Sequence, residues 1–270
     1  MAVRVSSLLS ALGGALRHGR IQVIDLTKPL SSETPMVKLG PGLAGSRPFT
    51  LTETSRYDAR GPSWYRNDFA CGEHTGTHFD APVHWITGRD LPCGSVDLVP
   101  TGRMIAPVVV INCAAQVAQD PDHLLEPGAI RDWEDLHGRI PAGAWVLMRS
   151  DWSKKLEVDS YLNIREDGPH TPGPSAAAVR FLLEERDILG FGSEVVGTDA
   201  GQAGRFDPPY PAHHLLLGAD RYGLAGLCNL DLLPVTGAML ITAPLKIAGG
   251  SGSPLRVLAL AERPLGDPGQ

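Results

Sequence analysis

The sequence predicts one mixed α/β domain, residues 1–270, built on a central sheet. Three observations carry that prediction. Runs with the apolar pattern of buried strands outnumber those with helical spacing. The chain has 270 residues, 43% of them hydrophobic and 20% charged, which is enough for one sizeable core. No Gly-rich strand-to-helix turn marks a doubly wound nucleotide-binding fold.

Taken in order, residues 5–19 read as an amphipathic helix. Leu8, Leu9, Leu12 and Leu16 fall at helical spacing and Gly19 ends the run. One Arg before a short apolar stretch resembles a secretory leader, but no clear cleavage site follows, so the helix is the expectation. Residues 21–29 read as a strand. Residues 31–73 read as loop-rich, punctuated by Pro41–Gly42 and Gly61–Pro62. Further strands are expected at Met104–Asn112, Ala144–Arg149, Phe191–Thr198, Gly223–Leu230, Ala238–Ala243 and Pro254–Leu260. Helices are expected at Ala129–Leu136 and Ser175–Arg186, the second with Val179, Leu182 and Leu183 inward.

Charge and composition narrow the function classes. The net charge is −6 and no Lys/Arg run occurs, so a nucleic-acid partner is not expected. No stretch approaches 18 apolar residues, so no membrane-spanning helix is expected. Cysteines stand at 71, 93, 113 and 228, none in a CxxC pair. Reduced thiols in a cytoplasmic protein are the expectation.

The chemistry concentrates in residues 72–85, GEHTGTHFDAPVHW. His74, Gly76, His78, Asp80, Pro82 and His84 share one parity, so in an extended segment they face one way. Thr75, Thr77, Phe79, Ala81, Val83 and Trp85 face the other. His78 and Asp80 would be roughly 7 Å apart at Cα, close enough to share an ion. His74 would lie roughly 13 Å from His78 on a straight strand, so the chain must bend, and Gly76 is the natural place. A helix would also join His74 to His78 at i, i+4, but Gly76, Pro82 and the β-branched flanks disfavour it. Two imidazoles and a carboxylate suit zinc, manganese or iron(II), any of which acidifies water and polarises a carbonyl.

HTGTHFDAPVH matches the HxGTHxDxPxH signature, and the chain resembles the cyclase family of metal-dependent hydrolases, whose branches include bacterial kynurenine formamidases and isatin hydrolases. The similarity runs from IDLTKPLS to APLKIAGGSGSPLRVLAL. It implies a swivelling β/β/α-type fold, a homodimer or higher assembly, and hydrolysis of an amide-like bond. It also implies His74, His78 and Asp80 as metal ligands, with His84 a second-site ligand or acid/base group. In the two-zinc branch, a histidine matching His213 and a Glu complete the metal set. Here Cys228 stands in place of that Glu, so one ion is expected rather than two.

GTDAGQ (197–202), the WYRND run and the HW pair look more like the isatin-hydrolysing branch. That likeness implies one Mn2+, with Zn2+ the alternative, and opening of the lactam of isatin to isatinate. Gln202 is then a candidate contact to the metal or its water; it is equally read as a loop residue bonding nearby backbone. His84 or His213 would move the proton, with His213 chosen over His214 because a doublet usually points one member inward. Trp64, Phe69 and Trp85 are candidates to line a pocket for a flat aromatic amide or lactam, although core packing suits Phe69 and Trp85 equally. The rival activities are an arylformamidase acting on N-formylkynurenine and a lyase or cyclase acting on a biosynthetic intermediate.

Overall fold

Apolar side chains alternate between two cores along the central strands, and this alternation sets the architecture. Val108 and Val110 enter one core with Trp145 and Leu147. Val109 and Ile111 enter the other with Val146 and Met148. A strand buried on both faces reads as a continuous apolar run, which is why APVVVI and AWVLM are so uniform. The computed structural model describes residues 7–38 and 42–263.

The strands are β1 (Ile21–Asp25), β2 (Thr50–Asp58), β3 (Gly61–Ala70), β4 (His78–Asp80), β5 (Ile105–Asn112), β6 (Trp145–Arg149), β7 (Gly190–Ser193), β8 (Tyr222–Ala225), β9 (Ala238–Ile241), β10 (Gly252–Pro254) and β11 (Leu258–Glu262). Nine of them form one sheet in the order β1-β11-β9-β5-β6-β7-β8-β4-β10. The central four, β5 to β8, run parallel. The pairs on either side are antiparallel. Ile24 of β1 and Phe79 of β4, from opposite ends of the sheet, lie in the same core as Trp145. Only a curled sheet brings them together. The other face is covered by α3 (Pro127–His137) and α5 (Ala176–Glu184), numbered with α1 (Leu8–Arg17), α2 (Ala114–Gln119) and α4 (Val158–Leu162). These two helices contribute Ile130, Trp133, Val179 and Leu182. Ser175 caps α5, its hydroxyl accepting from the Ala178 amide at 3.1 Å.

The mixed α/β architecture agrees with the sequence, but several boundaries do not. Residues 50–70, expected as loop, form the β2–β3 ribbon, paired from Thr50↔Ala70 to Asp58↔Gly61. Both faces of the ribbon are largely exposed, so it lacks the apolar alternation that identifies a half-buried strand. Gly61–Pro62 opens β3 instead of punctuating a loop. The strand expected at 191–198 stops at Ser193, and the Ser193 hydroxyl donates to the Gly197 carbonyl across a turn at 2.5 Å. The stretch at 254–260 divides between β10 and β11, and β1 ends at Asp25. Of the helix expected at 5–19, α1 spans Leu8–Arg17 and none of its residues is buried; residues 5 and 6 lie outside the described residues. Among the described residues no helix is long and apolar enough to cross a membrane.

Leu147 is fully buried at the middle of β6. Leu147→Ala is expected to lower unfolding free energy by about 2–5 kcal/mol in urea titration, through lost burial plus an unfilled cavity.

Candidate metal centre

The motif contributes only three residues to the sheet. β4 lies between β8 and β10, and Asp80 pairs with Gly223 on one side and Gly252 on the other. Both glycines make room for the site. A Cβ on Gly223 would stand 2.6 Å from Asp80 Oδ2, and one on Gly252 would stand 2.6 Å from His74 Cε1. Ahead of β4 the chain bends at Gly76, which takes φ +65°. A side chain there would also meet Leu30 at 2.7 Å. The bend folds His74 back, so one donor atom each from His74, His78 and Asp80 lies within 4.8 Å of the others. His78 and Asp80 share a strand face as their parity predicts. His74 arrives by the bend and not by a continued strand. Pro82–His84 is a 3-10 turn, so the extended segment also ends earlier than expected.

Hydrogen bonds orient the rings. His78 Nδ1 donates to the Gly76 carbonyl at 2.8 Å, leaving Nε2 as the free lone pair, 3.4 Å from Asp80 Oδ1. His74 Nδ1 lies 2.8 Å from Asp80 Oδ1, and its Nε2 lies 2.9 Å from Ser251 Oγ. Asp80 is 1% exposed, and its Oδ2 is buried without a hydrogen-bond partner. Burial opposes its ionisation, but the charges of His78 and His74 and the His74 hydrogen bond outweigh that and hold the carboxyl far below the usual range. Burial depresses the pKa of the His78 imidazole, favouring the neutral ligand form. A buried carboxylate with an orphaned oxygen, facing inward imidazole nitrogens, fits a divalent cation. It is the only such three-residue group among the described residues.

Two further histidines border the cluster. His84 stacks on His74 with ring centroids 3.7 Å apart, and its ring is 5.6 Å from that of His213. Burial pulls the His84 imidazole down to about 4 despite the nearby Asp80 charge. His213 lies on a π-helical turn, Ala212–Leu217. Its Nδ1 donates to Asp199 Oδ2 at 2.5 Å, and its Nε2 is 3.9 Å from Asp80 Oδ2. Burial works against protonation of His213, but the Asp199 hydrogen bond and charge outweigh it and raise the pKa. The Asp199 carboxylate also accepts from the amides of Ala212 and His213, at 2.7 and 3.1 Å. Asp199 has no role in the sequence reading, although it lies within GTDAGQ. Its signal, an Asp in a glycine-flanked turn after a buried strand, has no partner until the fold supplies His213. Trp85 completes the border, its ring 4.9 Å from His213 and 5.7 Å from Tyr210.

The other expected site residues have different neighbours. Gln202 donates from Nε2 to the Pro169 carbonyl at 2.8 Å and abuts His170 at 3.3 Å. This bond is the backbone contact of the loop reading, while Gln202 Oε1 is buried without a hydrogen-bond partner. The bond follows from close packing: Gly201 donates to the Thr171 carbonyl at 2.9 Å, so residues 169–171 lie directly on this turn. Phe69 stacks on Phe49, centroids 6.2 Å apart, and lines a cavity of about 700 Å³ with Lys28, Leu245 and Ile247. Trp64 is half-exposed on the same ribbon. Both aromatics lie on the ribbon, which forms a two-stranded sheet of its own. The Cys228 amide donates to the Leu26 carbonyl, and burial pushes its thiol up to about 11 despite the nearby Lys28 charge. Cys228 is not part of the three-residue group.

Comparison with known proteins places the site in a family. The Cyclase family model matches residues 24–200. An isatin hydrolase from Roseibium aggregatum is 49% identical over 259 residues, 95% of this chain and 98% of that protein. A kynurenine formamidase from Polaromonas naphthalenivorans is 30% identical, covering 71% of this chain and 73% of that protein. The crystal structure of an isatin hydrolase bound to the product analogue thioisatinate superposes with a TM-score of 0.94 at 48% identity, covering 97% of this chain and all of that one. The signature, the curled sheet and these matches agree: the chain belongs to the cyclase family.

Proposed function

We propose that this chain is a metal-dependent amidohydrolase that opens the lactam of isatin to give isatinate. The observation that carries the reading is the buried Asp80 carboxylate, with His74 and His78 at Oδ1 and an orphaned Oδ2 beside the His213–Asp199 pair. The choice of substrate rests on the near full-length similarity to an isatin hydrolase. His74, His78 and Asp80 would hold the ion, with Mn2+ proposed and Zn2+ the alternative. A divalent ion at such a site acidifies water and polarises a carbonyl.

The chain's own groups supply the rest. Asp199 holds His213 with Nδ1 protonated, so Nε2 is the nitrogen turned toward the cluster. That nitrogen takes a proton from the attacking water and returns it to the leaving lactam nitrogen. His84, neutral and stacked on His74, is the second group able to accept a proton there. Trp85 offers an indole ring against which a flat bicyclic substrate packs. A second reading, hydrolysis of N-formylkynurenine, is favoured by the kynurenine formamidase relative.

Assayed side by side, isatin is expected to give the higher kcat/KM; a higher value for N-formylkynurenine would overturn the substrate assignment. His78→Ala is expected to lose both bound metal, measured by elemental analysis, and turnover, while its circular dichroism stays native. Asp199→Asn is expected to keep its metal and lower kcat by about 10²-fold or more, since His213 loses its fixed tautomer.

A further inference from the structure

The glycine-rich run GGSGSP (249–254) has so far been only a mark of resemblance. In the fold it lies directly behind the cluster. Ser251 accepts the Ala81 amide at its carbonyl (3.0 Å), which fixes the run against the end of β4. The glycines on either side of Ser251 leave space for particular side chains. A Cβ on Gly250 would stand 2.8 Å from Glu73 Oε1, and one on Gly252 would stand 2.6 Å from His74 Cε1. Between them, Ser251 touches both residues. Its hydroxyl lies 2.5 Å from Glu73 Oε2 and 2.9 Å from His74 Nε2, and its amide donates to Glu73 Oε2 at 3.1 Å.

A serine hydroxyl has one hydrogen to give. A carboxylate only accepts, so the Ser251 hydrogen goes to Glu73. Ser251 Oγ is then an acceptor toward His74 and must receive Nε2–H. The chain of hydrogen bonds thus reads His74 Nε2–H to Ser251 Oγ, and Ser251 Oγ–H to Glu73. This leaves the Nδ1 lone pair of neutral His74 aimed at Asp80 Oδ1, 2.8 Å away. Two acceptors at that separation repel unless a proton or a cation lies with them: a proton on Nδ1 makes the His74–Asp80 hydrogen bond described above, and a bound cation takes its place. His78 is held the opposite way, with Nδ1–H on the Gly76 carbonyl and Nε2 free.

We propose that Glu73 and Ser251 are positioning residues that fix His74 in the Nε2–H tautomer, so that it meets the ion through Nδ1 while His78 meets it through Nε2. The inference rests on the metal-site reading above. A carboxylate or hydroxyl behind a metal-binding imidazole orients the ring and raises its basicity, and losing such a partner typically weakens metal affinity by about 10–100-fold. Glu73 also lines the cavity of about 700 Å³ beside Phe69, so the relay runs from that cavity to the metal ligand.

The test measures metal binding apart from turnover. Dissociation constants for Mn2+ and Zn2+ are determined by chelator competition for the wild type, Ser251→Ala, Glu73→Ala, the double variant and Ser251→Thr, each checked for a native thermal melt. Each Ala variant is expected to bind about 10–100-fold more weakly. The double variant is expected to be no worse than the weaker single one, and Ser251→Thr, which keeps the hydroxyl, is expected to restore affinity. Long-range ¹H–¹⁵N spectra of the Zn2+-loaded wild type are expected to show His74 protonated at Nε2 and His78 at Nδ1. Wild-type affinity in Ser251→Ala, or a proton on Nδ1 of His74, overturns the relay while leaving the metal site standing. Failure of the wild type to bind either ion overturns the metal site and the relay together.

Discussion

The buried charge of Asp80 is the constraint on which the rest of the site depends. A carboxylate that is 1% exposed is costly unless its oxygens are satisfied, and Oδ2 has no protein partner. Three imidazoles face it, His74 and His78 at Oδ1 and His213 with Nε2 at 3.9 Å from Oδ2. What remains is a buried carboxylate oxygen without a protein partner, suited to a cation. Such a site is stable only on a rigid support, and β4 provides one, being paired on both sides in a sheet with a core on each face.

The sheet divides its work between strands with bulk and strands without it. The central parallel strands carry Trp145, Leu147 and Phe191 into the two cores. At the β8–β4–β10 end, the residues opposite Asp80 are both glycine. Small residues there weaken strand packing but leave room beside them for the Asp80 carboxylate and the His74 ring. The same economy recurs at Gly76, Gly250 and Gly252, where the absence of a Cβ admits a bend, a carboxylate and an imidazole in turn.

Around the three donors, each histidine has a different tether. His78 is fixed by backbone, His74 by Ser251, and His213 by Asp199. His84 is held by ring stacking, with no such hydrogen bond among the described residues. A ring tethered at one nitrogen exposes a defined second nitrogen, and so chemically identical side chains take on separate duties. The tethers come from distant segments, residues 199 and 251, and the fold is what gives the histidines their individual roles.

The sequence by itself determined the local facts. It located the mixed α/β core, because apolar runs at 105–111 and 145–148 can be buried in few other ways. It located His74, His78 and Asp80, because ligands within seven residues are joined by short chain geometry, and it required the bend at Gly76. It did not reveal the β2–β3 ribbon, whose faces are both wet and therefore carry no periodic signal. Nor did it assign Asp199, Glu73 or Ser251, or pair Gln202 with the Pro169 carbonyl. Those depend on which segments meet across 14 residues or across 178, and on the tautomers that follow. Tertiary structure alone decided them, because a hydrogen bond between distant segments leaves no spacing in the chain to be read.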